Sequence, residues 1–533
     1  MEKISFDYSI KNIAASSEKQ YKTRLLGSSE HLMHNMRWRA YHFLKPKKHK
    51  QKLETYGFKS RLQPEIIKEL KPFEDRLLQL VRNIEFKPRS NDFQQRLRED
   101  IKESINHQDI IVKADKTSNF YRMEPKEYQR LLDVNIQDSY KKAPADQAKT
   151  INKEAKRIAD LLKLSDRIDM IAEREAYILL KDHKPNFANE RKCRLINPCK
   201  GELGKISKKL LEKMVRKTVT ETKVNLWRNT QEVLQWFDNI QHKESASFIS
   251  FDIVGFYPAI SKTLFEKALK HAEKYSPLSA LEKEVISHSK KTLLFSNSIP
   301  WQKKGESDFD ITMGSHDGAE CCELVGCYLL SQLKAELGDQ VSLGLYRDDG
   351  LAVTHASPRD TENMKKVICK VFKNNGLQIT IQANKKVVDF LDVTLNLETK
   401  KYHPFLKPGN TPVYINSKSN HPPSIKKAVP LGINKRLCDI SSDEVSFKNH
   451  TKVYQEALQK SGFKHKLVYT PKSPPAEATA SSTKRKRRRR VTWFNPPFDM
   501  QVKTPIGQKF RAMVEECFPK GHKLRKIFNK NTL

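Results

Sequence analysis

Two segments far apart in the chain limit what it can fold into. S-F-D-I-V-G-F-Y (250–257) and L-Y-R-D-D-G-L-A-V (345–353) each set aspartate at the end of a short apolar run. S-F-I-S-F (247–251) is a strand candidate, and V-S-L-G-L-Y-R-D-D-G-L-A-V-T-H (341–355) reads as strand, tight turn, strand. Two helices fit between them. One is capped by Ser261 and runs to about Tyr275 with Leu264, Phe265, Ala268, Leu269 and Ala272 inward; the other runs from near Gly318 to Leu337. Residues 360–376 predict a helix ended by Gly376, and 377–382 and 387–397 read as further strands. The order β-α-α-β-β-α-β-β predicts an α+β fold, an antiparallel sheet with helices on one face.

An Asp-Asp-Gly between two apolar runs is by itself usually a hairpin turn. Asp252 upstream, with a helix-sized gap and an aromatic residue, Tyr257, five positions on, points beyond that. Neighbouring strand tips would bring Asp252, Asp348 and Asp349 together, and bare carboxylates that close repel unless divalent cations neutralise them. Mg²⁺ takes hard oxygen ligands and keeps positions for water and phosphate. Two such ions roughly 3.5–4 Å apart stabilise an in-line phosphoryl displacement.

The charge balance agrees. The 533 residues carry 99 Lys+Arg against 63 Asp+Glu, a net charge of +36, so a polyanion is the expected partner. A membrane is not, because no long apolar run is present. The first residues, MEKISFDYSI, lack the apolar core of a secretion signal. None of the 8 Cys forms a C-x-x-C pair, which argues against a zinc ribbon and for buried thiols. Only 18 Gly and no repeat exclude a fibrous chain. Residues 1–60 are basic and weakly patterned. From about Ser60 to Asn106 the pattern is helical, with Ile66, Leu70, Phe73, Leu77 and Leu80 on one face. Ser441 to Glu444 is a capping-box candidate for a helix running to Ser461, with Gly462 as its stop.

The two aspartate segments resemble the D-x-x-x-x-[FY] and Y-x-D-D motifs of reverse transcriptases. Further segments resemble those of Penelope-like retroelement proteins: V-K-A-D-K (112–116), L-L-K-D-H-K-P (179–185), R-K-C-R-L-I-N-P (191–198), V-D-F-L-D-V (388–393), F-L-K-P (405–408) and S-N-H-P (419–422). The resemblance covers roughly 110–430, with a weaker match over W-F-N-P-P. It implies a right-hand polymerase: a helical N-terminal extension (1–110), fingers (111–240), palm (241–397), a mostly helical thumb (398–470), a disordered linker with a basic run (471–492) and a basic C-terminal segment (493–533).

By this resemblance Asp252 and Asp348 are the principal ligands of two Mg²⁺ ions, with Mn²⁺ as a substitute, and Asp349 is the adjacent carboxylate. Tyr257 falls at the steric-gate position that selects dNTPs over rNTPs. Arg194 reaches the nucleotide phosphates, joined by Lys181 and Lys184; an Arg fork suits bidentate phosphate binding. Met313 and Gly314 open the motif beside the incoming base. That motif departs from the family pattern: it continues Ser315-His316-Asp317-Gly318-Ala319-Glu320, prolines giving way to acids, which puts nucleotide handling in question. Arg347 takes the usually apolar position of Y-x-D-D. Phe390-Leu391-Asp392 resembles the primer grip, and reads equally as a buried strand.

K-R-K-R-R-R-R (Lys484, Arg485, Lys486, Arg487, Arg488, Arg489, Arg490) fits a nuclear localisation signal or a nucleic-acid clamp. No GIY-YIG endonuclease segment is read, and no nuclease activity is expected. The expected function is RNA-directed DNA synthesis in the nucleus, on an RNA template, a DNA primer and dNTPs. The rivals are an RNA-dependent RNA polymerase on the same palm and a catalytically inactive, domesticated RNA-binding protein.

Overall fold

A computed structural model describes residues 1–4, 11–45, 56–58, 62–88, 91–106, 108–168, 173–198, 201–305, 309–471 and 491–533. The basic run 484–490 and most of the linker before it lie outside these residues. The centre is a five-stranded sheet built from β1 (Asn225–Leu226), β2 (Ser247–Ile253), β3 (Val341–Tyr346), β4 (Asp349–Thr354) and β5 (Ile379–Lys385), in the spatial order β5-β2-β4-β3-β1. Pairing is antiparallel except between β3 and β1, which run parallel.

The sheet is buried on both faces, which its near-continuous apolar strands require. On one side Ile249, Phe251, Leu345 and Ala352 pack under four helices: α1 (Leu203–Thr222), α2 (Lys262–Glu273), α3 (Gly318–Leu337) and α4 (Pro358–Asn374). Ser261 caps α2 by accepting from the Leu264 N–H at 3.1 Å, and Gly376, at φ +72°, follows α4. On the other side Phe248, Leu351 and Val353 meet Trp227, Phe237, Phe390, Leu395 and Leu437. The expected one-sided cover is therefore corrected to a sandwich. Residues 387–397 also leave the central sheet. A turn at Leu391, φ +57°, folds them into Val387–Phe390 and Val393–Asn396, which with Lys401–Pro404 make a separate three-stranded sheet.

The expected helix from Glu444 to Ser461 is two helices, Glu444–His450 and Lys452–Lys460, broken at Thr451. The first is capped by Asp443, which accepts from the Ser446 N–H at 2.8 Å; Ser442 instead bonds the Tyr402 backbone.

Near the N-terminus the weakly patterned stretch folds as a 27-residue helix, Glu18–Leu44, started by a reciprocal capping box between Ser17 and Gln20. The next helical stretch is a short 3-10 turn followed by Lys71–Arg82 and, after a break, Asp92–Asn106. Leu70, Phe73 and Leu77 are buried as expected, but Ile66 is 73% exposed and Ile67 takes its place inside. These helices do not close a core alone. Leu32, Met36 and Phe73 pack against Phe510, Phe518 and Phe528 from the last residues of the chain.

The S-N-H-P run fastens that union. The Asn420 N–H donates to the Ile13 carbonyl at 2.9 Å, and its side-chain amide donates to Asp499, also at 2.9 Å. Asp499 accepts from the Ser16 N–H at 2.9 Å as well. Among the described residues, no helix is long and apolar enough to cross a membrane.

Candidate active site

β2 and β4 place Asp349 directly opposite Asp252, with Gly350 opposite Phe251. Opposite residues of an antiparallel pair project to one face, so the two carboxylates are neighbours. Gly350 is needed for this approach: a Cβ there would lie 2.2 Å from the Phe251 ring. Tyr346 pairs with Asp349 across the hairpin, so Arg347 and Asp348 form a two-residue turn. Arg347 sits at φ +56°, in a position that favours glycine, and holding it there costs about 1–3 kcal/mol. The Asp348 carbonyl accepts from the Ile253 N–H at 2.9 Å and fixes the turn against β2.

Burial raises the Asp349 carboxyl to about 6, helped by the charges of Asp348 and Asp252 and opposed by that of Lys116. Arg347 stacks near the Tyr346 ring, 5.8 Å from its centroid, and shares a side cleft with Glu320 and Glu323.

A cleft of about 600 Å³ opens over the carboxylates. Asp252, Asp348, Tyr257 and Met313 line it together with Lys181, Lys184 and Arg194 from the hairpin Tyr177–Leu180/Cys193–Ile196. Residues more than 150 positions apart in the chain thus share one cavity, as the motifs suggested. Burial and the Arg194 charge lower the Lys181 ammonium below the usual lysine range. Burial raises the Tyr257 hydroxyl.

Gly314 is not part of the lining; it shapes the wall. Its φ is +130°, and a Cβ would lie 2.2 Å from the Asn197 carbonyl oxygen. The Asn197 N–H donates to the Met313 carbonyl at 3.2 Å, so this approach joins the two walls of the cleft.

The acids that break the expected motif after Ser315 do not line this cleft. Asp317 is 1% exposed; it forms an ion pair with the buried Lys290 and accepts from Ser207 and, at 2.9 Å, from Ser289. Glu320 lies 3.2 Å from the Lys208 ammonium. They hold α3 against α1 and the segment after the Ala280–His288 helix. Phe390 is core, its ring 5.6 Å from that of Trp227, while Asp392 is bonded to Thr230 and Arg436 beside a second cleft.

Among the described residues, no three His, Cys, Asp or Glu side chains are gathered into a ready-made metal cage. Asp252 and Asp349 stand as a registered pair, with Asp348 a turn carboxylate at the cleft. That set still fits Mg²⁺, which is commonly held by one or two carboxylates with water and phosphate completing its shell. A bound cation would offset both the burial and the repulsion from Asp348 and Asp252 that lift Asp349.

Sequence reasoning missed three cations of this neighbourhood as site residues. Lys116 and Lys303 line the cleft, and Lys407 is close enough to Asp349 and Lys116 for their charges to act on it. Lys116 and Lys407 stand within A-D-K and F-L-K-P, so the signal was present in motifs that were quoted but not assigned a role.

Residues 413–472 match a family model described as the animal helix-turn-helix domain, a span holding the helices Pro423–Asp439, Glu444–His450 and Lys452–Lys460. No curated protein matches the chain. Solved structures with some likeness include telomerase from Candida albicans in complex with the TWJ fragment of telomeric RNA, at 10% identity over 83% of each chain with a TM-score of 0.47. Apo telomerase from Candida tropicalis has 10% identity over 84% of this chain and 86% of its own, with a TM-score of 0.45. The BmCPV RNA-dependent RNA polymerase at elongation state has 10% identity over 52% of this chain and 27% of its own, with a TM-score of 0.33.

Proposed function

We propose that the chain is a template-directed nucleic-acid polymerase, and within that class a reverse transcriptase of the Penelope-like kind. The observation that carries the reading is the register of Asp252 against Asp349, with Asp348 on the adjoining turn, facing Arg194, Lys181 and Lys184 across one cleft. Opposed walls of carboxylates and cations are what a nucleoside triphosphate needs if it is to be bound by its phosphates and reacted at one end.

In this reading Arg194 and Lys181 hold the triphosphate. Tyr257, at the cleft wall, blocks the space of a 2′-hydroxyl, the group that separates RNA from DNA precursors. Met313 bears on the base. Asp252 and Asp348 would hold Mg²⁺, which supplies charge neutralisation at the reacting phosphate. The remaining work is positioning, with reacting atoms held in line in a preorganised polar site. The net charge of +36 supports sequence-independent contacts to an RNA template and a DNA primer. The run 484–490 supports a nuclear location.

Primer extension on poly(rA) with oligo(dT) and Mg²⁺ tests this, with dTTP or UTP in separate reactions beside Asp348→Ala. Extension with dTTP alone, abolished in the variant, is expected. Extension with UTP would replace the reading by an RNA polymerase. No extension from folded, template-binding protein would leave an inactive RNA-binding protein.

A further inference from the structure

The strands Ile110–Lys113 and Phe120–Met123 are joined by a turn whose construction is out of proportion to a simple connection. The Ala114 N–H donates to the Asn119 carbonyl at 2.9 Å and closes the stem. The Asp115 N–H donates to the Leu180 carbonyl at 2.7 Å and ties the turn to the hairpin that carries Lys181 and Arg194. Asp182, just after that hairpin strand, accepts from the Thr117 hydroxyl at 2.9 Å, the Asn119 amide at 2.6 Å and the Tyr121 hydroxyl at 3.0 Å. A carboxylate with three donors from one turn braces that turn.

What it braces is Lys116. Asp115 and Thr117, on either side, are buried, while Lys116 is exposed at the cleft and held at φ +66°. A left-handed lysine costs about 1–2 kcal/mol, and such strain persists where the surroundings over-determine it. Asp115 lies 3.3 Å from Arg194, not from Lys116. That ion pair joins Asp115 Oδ2 to Arg194 Nε on the wall that Lys116 shares, so Asp115 is engaged by Arg194. The wall therefore presents Lys116, Lys181, Lys184 and Arg194 to the space over Asp252 and Asp348.

We infer that Lys116 is a further cation of a polyphosphate subsite in this cleft, and that Asp182 is its positioning residue. The inference rests on the polymerase reading for its substrate, a nucleoside triphosphate. It stands on the turn geometry for its binding chemistry. A compact polyanion suits several converging cations better than a single backbone phosphate does, because each added donor acts on the same charge.

The test uses the full chain, with inorganic tripolyphosphate as a binding probe and dTTP in primer extension. Lys116→Ala is expected to weaken tripolyphosphate binding and raise the dTTP KM by about tenfold. The kcat and the template–primer Kd should stay within about twofold, and Lys116→Arg should regain most of the loss. Asp182→Asn should raise KM with Lys116 present and add nothing in Lys116→Ala, the non-additivity of residues acting as a unit. Unchanged KM and probe affinity in Lys116→Ala, fully additive effects, or a loss confined to template–primer affinity would each overturn the inference. If Asp182→Asn does not fold, the Lys116→Ala and Lys116→Arg pair decides alone. Wild-type protein that binds tripolyphosphate normally but extends no primer would sink the polymerase reading and leave the subsite standing.

Discussion

Asp349→Asn is expected to stabilise the metal-free protein at neutral pH and to have little effect near pH 4. Burial, with the Asp348 and Asp252 charges, lifts this carboxyl from the ordinary 3.8 to about 6. A raised carboxyl favours the fold while it is protonated. Its contribution is complete below the unfolded value, about 3.9, and is lost as pH rises through about 6. At about 1.4 kcal/mol per pH unit, the loss approaches 3 kcal/mol, shared among the three carboxylates as a titrating group. For a cooperative unit of this size that is a melting shift of about 3 °C.

Thermal melts in EDTA from pH 4 to 7.5 read it directly. The wild type should fall behind Asp349→Asn across that range and then run parallel to it. Mg²⁺ at pH 7.5 should raise the wild-type midpoint, and raise that of Asp348→Asn less, because the ion binds the folded carboxylates. A gap between wild type and Asp349→Asn that does not change with pH would refute the account of crowded, buried charge.

Two further outcomes follow from buried contacts around the cleft. Lys290→Met leaves Asp317 buried and uncompensated and should cost about 3–5 kcal/mol in urea unfolding, whereas Lys290→Met combined with Asp317→Leu should recover much of it. A double variant as unstable as the single would mean the pair is not the source. Gly314→Ala forces a Cβ onto the Asn197 carbonyl at a backbone conformation foreign to alanine; a loss of about 1–3 kcal/mol and a raised nucleotide KM are expected, and wild-type values of both would exclude the close approach.

The strands that carry the aspartates, their turn and the helices that start after Ser261 and at Gly318 were legible because each obeys a local rule: Ser261 caps its helix, Gly376 follows its own, and apolar runs end at the aspartates; the helix Ala280–His288 and the strands Leu294–Ser296 and Ile299–Lys303 between them were not read. Periodicity could not tell Ile66 from Ile67, since both are apolar and only packing decides which points inward. The capping box Ser17/Gln20 was readable but overlooked within a basic stretch. The role of Asp317 was not readable at all, because its partners Ser207 and Lys290 come from elements that only tertiary packing brings to it. The same holds for Lys116, whose placement depends on a carboxylate 66 positions away in the chain. The motifs marked the cleft; the contacts that aim its side chains are long-range.

The union of the chain's two ends has a consequence during synthesis. The apolar stripe of Leu32, Met36 and Phe73 is covered by Phe510, Phe518 and Phe528, which are made more than 430 residues after it. At about 5–20 residues per second, that stripe waits roughly 20–90 seconds on the ribosome without its permanent cover, while the central sheet has all its strands by Lys385. The part that holds the cleft is thus free to fold first, and the N-terminal helix is a late joiner despite emerging early. Until those residues emerge it is an uncovered hydrophobic surface, and the Ile13–Asn420–Asp499 clasp closes only after Asp499 has been made.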